Sequence, residues 1–290
     1  MIENSRIVNK IMFQCNNCNN ILNCDDIYEF LDTHLDIIRK KFEYNIKDMI
    51  LEDQFIEDTY EHPVYGNIDY FCLQCNENLL IKIFISAYDT NIVSFYDIEG
   101  TKPFLPFQVL MGGEIKGLIL EFMFRWVHIT KWIDIVTPYI DDFGYKFLGK
   151  LPEFIYYYNP GIFINLITRF GSKEKKRNGK VIYGKSGKKL IDQVFKEEKC
   201  ENCIAKNPNI SYGDCLGCIK LSNHINLRIP NIPWSYFHAK WYAGILENKV
   251  EIMISSHNLT KTGKASPETV GLLIIDSKVY INKFLSKLKV

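Results

Sequence analysis

Apolar and polar positions alternate along this chain with two periods. From Ile27 to Ile50, IYEFLDTHLDIIRKKFEYNIKDMI places apolar residues three and four apart, which predicts an amphipathic helix. NLLIKIFISAYD and NIVSFYDI follow as predicted strands. GTKPFLPF, Gly100 to Phe107, carries two prolines and reads as a linker. Beyond it, GEIKGLILEFMFRWVHIT has the helical period, KWIDIVTPYI reads as a strand, and FGYKFLGKLPEFIYYY as a helix broken near Pro152. IFINLITRF, Ile162 to Phe170, is apolar almost throughout, as a strand buried on both faces should be. A glycine- and lysine-rich loop and the predicted helix LIDQVFKEE come next. HINLRIP, YFHAKWYAG, KVEIMISS and ETVGLLII predict four more strands, and SKVYINKFLSKLKV a closing helix. Strands alternating with helices indicate an α/β sheet covered on both faces. The reading is a first unit over 1–107 and a second over 108–290.

Composition narrows the class. The 290 residues are 47% hydrophobic and 14% aromatic, enough to bury a core, which excludes a disordered or fibrous chain. No stretch approaches ~18 uninterrupted apolar residues, so no membrane span is expected. MIENSRIVNK lacks the basic-then-apolar pattern of a secretory leader, and a cytoplasmic protein is the expectation. The formal net charge of +1 hides an asymmetry. Residues 1–100 hold 7 basic and 18 acidic side chains, a net of −11, and the remainder is +12. The second half suits a polyanion, and the acidic first half suits a protein partner.

Eight of the nine cysteines form Cys-x-x-Cys pairs: Cys15 with Cys18, Cys72 with Cys75, Cys200 with Cys203, and Cys215 with Cys218. That spacing turns two sulfurs toward one tetrahedral ion, and two such knuckles complete a four-thiolate shell. Both FQCNNCNN and DYFCLQCNEN carry an aromatic residue shortly before the first cysteine, as zinc-ribbon hairpins do. Disulfides are disfavoured without a secretory leader, and a redox pair would normally occur once. Two structural zinc sites follow, one in the first unit and one in a knuckle insert at 199–219. The spacing alone leaves open how the knuckles pair. A closed four-cysteine shell has no position for catalysis. Cys24 is the odd thiol, read as a buried cysteine first and as a substitute ligand second.

Candidate chemistry lies in FHAKWYAGILENKVEIMISSHNLTKTGKASPETVGLLIID. His238 and Lys240 are two apart, so on a strand they share a face. Ser256 and Asn258 are two apart at the end of the next strand, and a hairpin about LENK would bring the pairs together. Glu268 opens the strand after. Imidazole serves as nucleophile or acid–base, the ammonium and amide hold phosphate oxygens, and a carboxylate can hold a histidine tautomer. The combination suits attack on phosphorus. By alternation His257 is expected to face away from this site. His128 reads as structural.

HAK followed by SSHN and a later glutamate resembles the phospholipase D superfamily, with its His-x-Lys and Gly-Ser-x-Asn pattern, over roughly residues 108–290. The resemblance is nearest to its single-motif nucleases and restriction-endonuclease-like members, and IDIVTPYID looks like the first strand of such a domain. The sequence departs at Ile245, where the family motif carries Asp, at Ser255, where it carries Gly, and in a gap from Lys240 to Asn258 three residues longer than usual. The resemblance implies a mixed sheet flanked by helices, with the zinc-ribbon-like α+β first unit appended. It implies catalytic roles for His238, Lys240, Ser256, Asn258 and Glu268, a phosphohistidine intermediate and no catalytic metal. Family sites use two His-Lys-Asn sets, and HITKW at 128–132 supplies no second one, so a homodimer sharing one site is implied.

Arg169, Lys173, Lys175, Lys176, Arg177 and Lys180 lie in or beside the basic loop and are the expected contacts to a phosphate backbone. The leading reading is a DNA-directed (or RNA-directed) phosphodiesterase, in defence against foreign DNA. The alternatives are a non-catalytic nucleic-acid-binding or interaction subunit and, less favoured, a phospholipase or phosphatidyl transferase.

Overall fold

The computed structural model describes residues 11–41, 64–85, 93–140, 159, 161–168, 173–177, 180–183, 225–228, 230, 237–259 and 266–289. The predicted helices at 143–158 and 190–198 and the basic residue Arg169 lie outside the described residues. So do all four cysteines of the expected second zinc site, namely Cys200, Cys203, Cys215 and Cys218. The chain divides into two compact units, Met1–Pro106 with Leu120–Ile129, and Phe107–Ile119 with Thr130–Val290. Among the described residues no helix is long and apolar enough to cross a membrane.

The first unit contains two antiparallel three-stranded sheets. In one, β1 (Met12–Cys15) lies between β2 (Ile21–Leu22) and a strand that the sequence disguises. In the other, β3 (Val64–Phe71) pairs with β4 (Asn78–Ile85), which pairs with β5 (Val93–Glu99). The disguised strand is β6 (Thr101–Phe104), where a linker was expected. It pairs with β1 in the register Phe13↔Pro103. Proline is tolerated because β6 is an edge strand, where a missing N–H breaks no further ladder. The predicted helix begins earlier, at Cys24, because the Asn23 side chain accepts the Asp25 N–H at 3.2 Å and two acidic residues fill the first turn. It runs Cys24–Thr33, breaks at His34, and helical residues continue over 35–41.

The second unit is built on one mixed seven-stranded sheet. Its strands are β7 (Gln108–Met111), β8 (Trp132–Val136), β9 (Phe163–Ile167), β12 (Ile225–Arg228), β13 (Trp241–Ile245), β14 (Lys249–Ser255) and β15 (Pro267–Asp276), in the order β12-β9-β8-β13-β14-β15-β7. β8, β9 and β12 are parallel, and the other pairings are antiparallel. β10 (Lys173–Arg177) and β11 (Lys180–Tyr183) form a separate antiparallel pair with Arg177 opposite Lys180, and the sequence between them is Asn-Gly. A mobile loop was expected there, although Asn-Gly is a strong two-residue turn signal.

One face of the large sheet buries Val136, Ile167, Trp241, Ala243, Ile245, Val250 and Ile252 with Tyr280 and Leu288 of the C-terminal helical segment. That segment begins at Asp276, whose carboxylate accepts the Lys278 N–H, and passes through a π-helical turn, Ile281–Leu285. Ile245 is in this cluster, so the position where the family motif carries Asp faces hydrocarbon here. The same face holds one buried polar group. Asn165 and the Tyr280 hydroxyl donate to the Asp134 carboxylate at 2.7 and 2.8 Å, and Trp241 donates to the Tyr280 oxygen at 3.0 Å. Burial raises the Asp134 pKa against the effect of these donors and of Arg228.

Candidate metal centre and candidate active site

The two N-terminal knuckles share one backbone geometry. In the first, Cys15 N–H donates to Asn20 C=O at 2.8 Å and Asn19 N–H to Cys15 C=O at 2.9 Å. In the second, Cys72 N–H donates to Glu77 C=O at 2.9 Å and Asn76 N–H to Cys72 C=O at 2.8 Å. The residue after each second cysteine is asparagine at positive φ, 59° at Asn19 and 56° at Asn76. Asparagine enters the left-handed region more readily than other side-chain-bearing residues. This repeated Cys-x-x-Cys-Asn is a signal that spacing alone passes over.

The strands carry the knuckles together. Cys15 Sγ lies 3.8 Å from Cys75 Sγ, and Cys18 Sγ 3.7 Å from Cys72 Sγ. All four sulfurs lie within 4.8 Å of one another, close enough to hold a metal ion. Two of them, Cys72 and Cys18, are shifted in opposite directions. Burial raises Cys72, but the Cys75 and Gln74 N–H groups and neighbouring thiols bring it down to about 7. The Asn20 N–H lowers Cys18, yet desolvation and the other three sulfurs push it up to about 12. Cys24 is buried outside this cluster. Its thiol donates to Ile11 C=O at 2.6 Å, and burial with Glu121 and Asp25 nearby raises it to about 12. The shell expected from Cys200, Cys203, Cys215 and Cys218 falls outside the described residues, so the structure brings together one of the two expected four-cysteine sets.

The second constellation lies at one end of the large sheet, where β8, β9 and β14 finish and β13 and β15 begin. β13 and β14 form the expected hairpin, with Trp241 opposite Ile254 and Ile245 opposite Val250. His238 and Lys240 precede β13 rather than lying on it, because the strand starts only at Trp241. One further bond, Ser255 N–H to Lys240 C=O at 3.3 Å, continues the pairing. The next rung is opened by side chains. Ser255 Oγ accepts the His257 N–H at 3.0 Å, and Lys240 Nζ donates to the His238 carbonyl at 2.8 Å. Glycine at the Ser255 position could not supply that acceptor.

On the other side of β14, Ser256 N–H donates to Thr269 C=O at 3.0 Å and Thr269 N–H to Ser256 Oγ at 2.9 Å. The Ser256 hydroxyl donates to the Glu268 carboxylate. Ser256 and Glu268 are thus brought together, as are Lys240 and the backbone of His238. His238 is exposed, and among the described residues its ring makes no hydrogen bond with Asn258 or Glu268. Asn258 is half-buried, and its Oδ1 is buried without a hydrogen-bond partner among the described residues.

His257 alternates in burial with its neighbours, exposed Ser256 and half-buried Asn258. It is 0% exposed. The β13/β14 register ends at Trp241↔Ile254 and the β14/β15 register at Ser255↔Val270, so His257 lies beyond both ladders. Burial lowers the His257 pKa, with Lys116 adding to the shift and Glu268 opposing it. Of the basic residues, Lys173, Lys175, Lys176, Arg177 and Lys180 all lie on the strands β10 and β11.

Compared with known proteins, the chain matches no family model and no curated protein.

Proposed function

We propose that this protein is a phosphodiesterase of the phospholipase D type that hydrolyses nucleic acid, DNA foremost, through a phosphohistidine on His238. The observation that carries the reading is the hairpin register, which sets the HAK segment, the SSHN segment and Glu268 at one end of one sheet. The carboxyl ends of β8 and β9 meet there, the usual place for ligands in sheets with parallel strands. The helix Gly112–Ile129 also starts at this end, after β7, and its N-terminal amides favour an anion.

In this reading a His238 ring nitrogen attacks phosphorus, and the P–O bond to the leaving strand breaks. A second His238, from another copy in a homodimer, protonates the departing oxygen. It then takes a proton from water, which cleaves the P–N bond and restores the histidine. Lys240 and Asn258 stabilise the oxygens of the five-coordinate phosphorus. The lysines of the β10/β11 pair, with Arg169 and Arg177, contact the backbone phosphates.

The four clustered thiols fit zinc. Tetrahedral Zn–S bonds of ~2.3 Å place sulfurs about 3.8 Å apart, close to the 3.7 and 3.8 Å found. Cys15, Cys18, Cys72 and Cys75 would hold it as a structural ion. Cys200, Cys203, Cys215 and Cys218 of the knuckle insert would hold a second. The acidic first unit is left for a protein partner, within the cytoplasm.

The test compares wild type with His238→Ala on plasmid, single-stranded DNA, RNA and phospholipid. Cleavage of nucleic acid that survives brief EDTA treatment and falls at least ~10³-fold in the variant is expected. Equal inertness of both proteins on every substrate, with DNA still bound, would replace this reading by that of a non-catalytic binding subunit.

A further inference from the structure

β10 and β11 form a two-stranded sheet of their own and pair with no strand of the large sheet among the described residues. An isolated antiparallel pair is marginal in water unless something covers it. Its residues are one-sided in charge: Lys173, Lys175, Lys176, Arg177 and Lys180 against the single acid Glu174. Lys173 pairs with Tyr183 and Arg177 with Lys180, with a register shift between Glu174 and Arg177 that adds right-handed twist. Only two residues of sequence separate Arg177 from Lys180, so no bulky loop follows the last rung.

The covalent chain limits where this ribbon starts. Trp241 pairs with Val136 and Val136 with Ile167, so the end of β9 lies in line with the start of β13, two strand spacings or about 10 Å away. Just past β9, the Thr168 N–H donates to the Arg228 C=O at 3.3 Å. From Thr168 to Lys173 is five residues, at most about 17 Å of chain. The ribbon therefore begins within about 27 Å of the start of β13, less than the ~34 Å turn of a DNA duplex.

We propose that β10/β11 is a ribbon that enters the major groove of a DNA duplex beside the phosphodiesterase site. The B-form major groove is about 12 Å wide and admits a two-stranded ribbon. The A-form major groove of duplex RNA is too deep and narrow, and a single strand has no groove. A groove also supplies the cover that an isolated pair lacks in water, and the phosphates along both its walls match five cations. This rests on the reading of the protein as a nucleic-acid phosphodiesterase and narrows its substrate to duplex DNA.

The experiment uses the full chain with His238→Ala, so that no probe is cut, and compares a DNA duplex, an RNA duplex of the same sequence and the single DNA strand. Binding to duplex DNA about 10-fold or more tighter than to the other two is expected. Guanine N7, which lies in the major groove, should be protected from dimethyl sulfate at saturating protein. Adding Lys175→Ala, Lys176→Ala and Lys180→Ala together should abolish both the preference and the protection, and lower the slope of log K against log salt by about 3. Equal weakening on all three probes, or duplex RNA bound as tightly as duplex DNA, means contact with phosphates alone and overturns the proposal. Unprotected guanine N7, or no binding to duplex DNA, before the lysines are replaced overturns it as well, which decides the matter even if the lysine variant does not fold. Absence of cleavage by wild type would sink the proposed function and leave binding and protection to judge the ribbon.

Discussion

The knuckles of the first unit and the open end of the β13/β14 hairpin in the second assemble their side chains in opposite ways. Each knuckle is a local object. Its two sulfurs, left-handed asparagine and cross-bonds fall within six residues, and the same geometry occurs twice. The hairpin end is a non-local object. Lys240, Ser256 and Glu268 come from three chain segments, and only strand pairing brings those segments to one end of the sheet. The lesson is that a motif's type can be carried by spacing, while which side chains share a face is carried by pairing.

The largest effect should come from the local object. Cys72→Ser removes one of four sulfurs, and structural zinc binding is worth on the order of 10 kcal/mol. Loss of one bound ion per chain and unfolding of the first unit are expected, read by metal content and amide exchange. Metal content equal to that of wild type would mean that the cluster at Cys15, Cys18, Cys72 and Cys75 is not a site.

Next comes His128, also in the first unit. It stacks on Tyr96 at 4.4 Å, with Phe84, Phe124 and Tyr65 within 5.6 Å. Burial lowers its pKa to about 3. The unfolded chain therefore binds a proton that the folded chain does not, between pH 6.5 and about 3. Stability is fully present above pH 6.5 and declines as the pH falls through that window. Because His128→Phe carries no such proton, its stability relative to wild type should rise by ~5 kcal/mol over the window. Parallel stability–pH curves for the two proteins would refute this.

Of intermediate size is the buried polar group of the second unit. Tyr280→Phe leaves both an Asp134 oxygen and the Trp241 N–H without their partner. A loss of about 2–4 kcal/mol in denaturant unfolding is expected. A loss under ~1 kcal/mol would show that water serves equally well there.

The smallest effect tests the knuckle backbone. Asn76→Ala should cost about 1 kcal/mol and Asn76→Gly almost nothing, since only a left-handed backbone is required. Equal losses in the two variants would assign the asparagine side chain, rather than φ, the decisive role.

Periodicity alone located many elements. Apolar Phe163–Ile167 reads as a buried strand and is one, and KVEIMISS predicts β14 closely. The Cys15/Cys18 and Cys72/Cys75 pairs marked four sulfurs that lie close enough to hold a metal ion. Other features stayed hidden for stated reasons. β6 hides behind Pro103 because only an edge position makes that proline acceptable. The β10/β11 pair hides among lysines because its charge obscures the Asn-Gly between the strands.

Single side chains and short spacings were enough to mark the cysteines of a candidate metal site and to say where the chain alternates. Folding was needed to bring the Cys15 knuckle to the Cys72 knuckle, and to give Glu268 to Ser256 rather than to His238. Folding also joined the Lys240 segment to the end of β14, through the bond from Ser255 N–H to Lys240 C=O. A strand has a period of two, so one residue of register moves every side chain to the other face, and register is set by pairing partners far away in the chain.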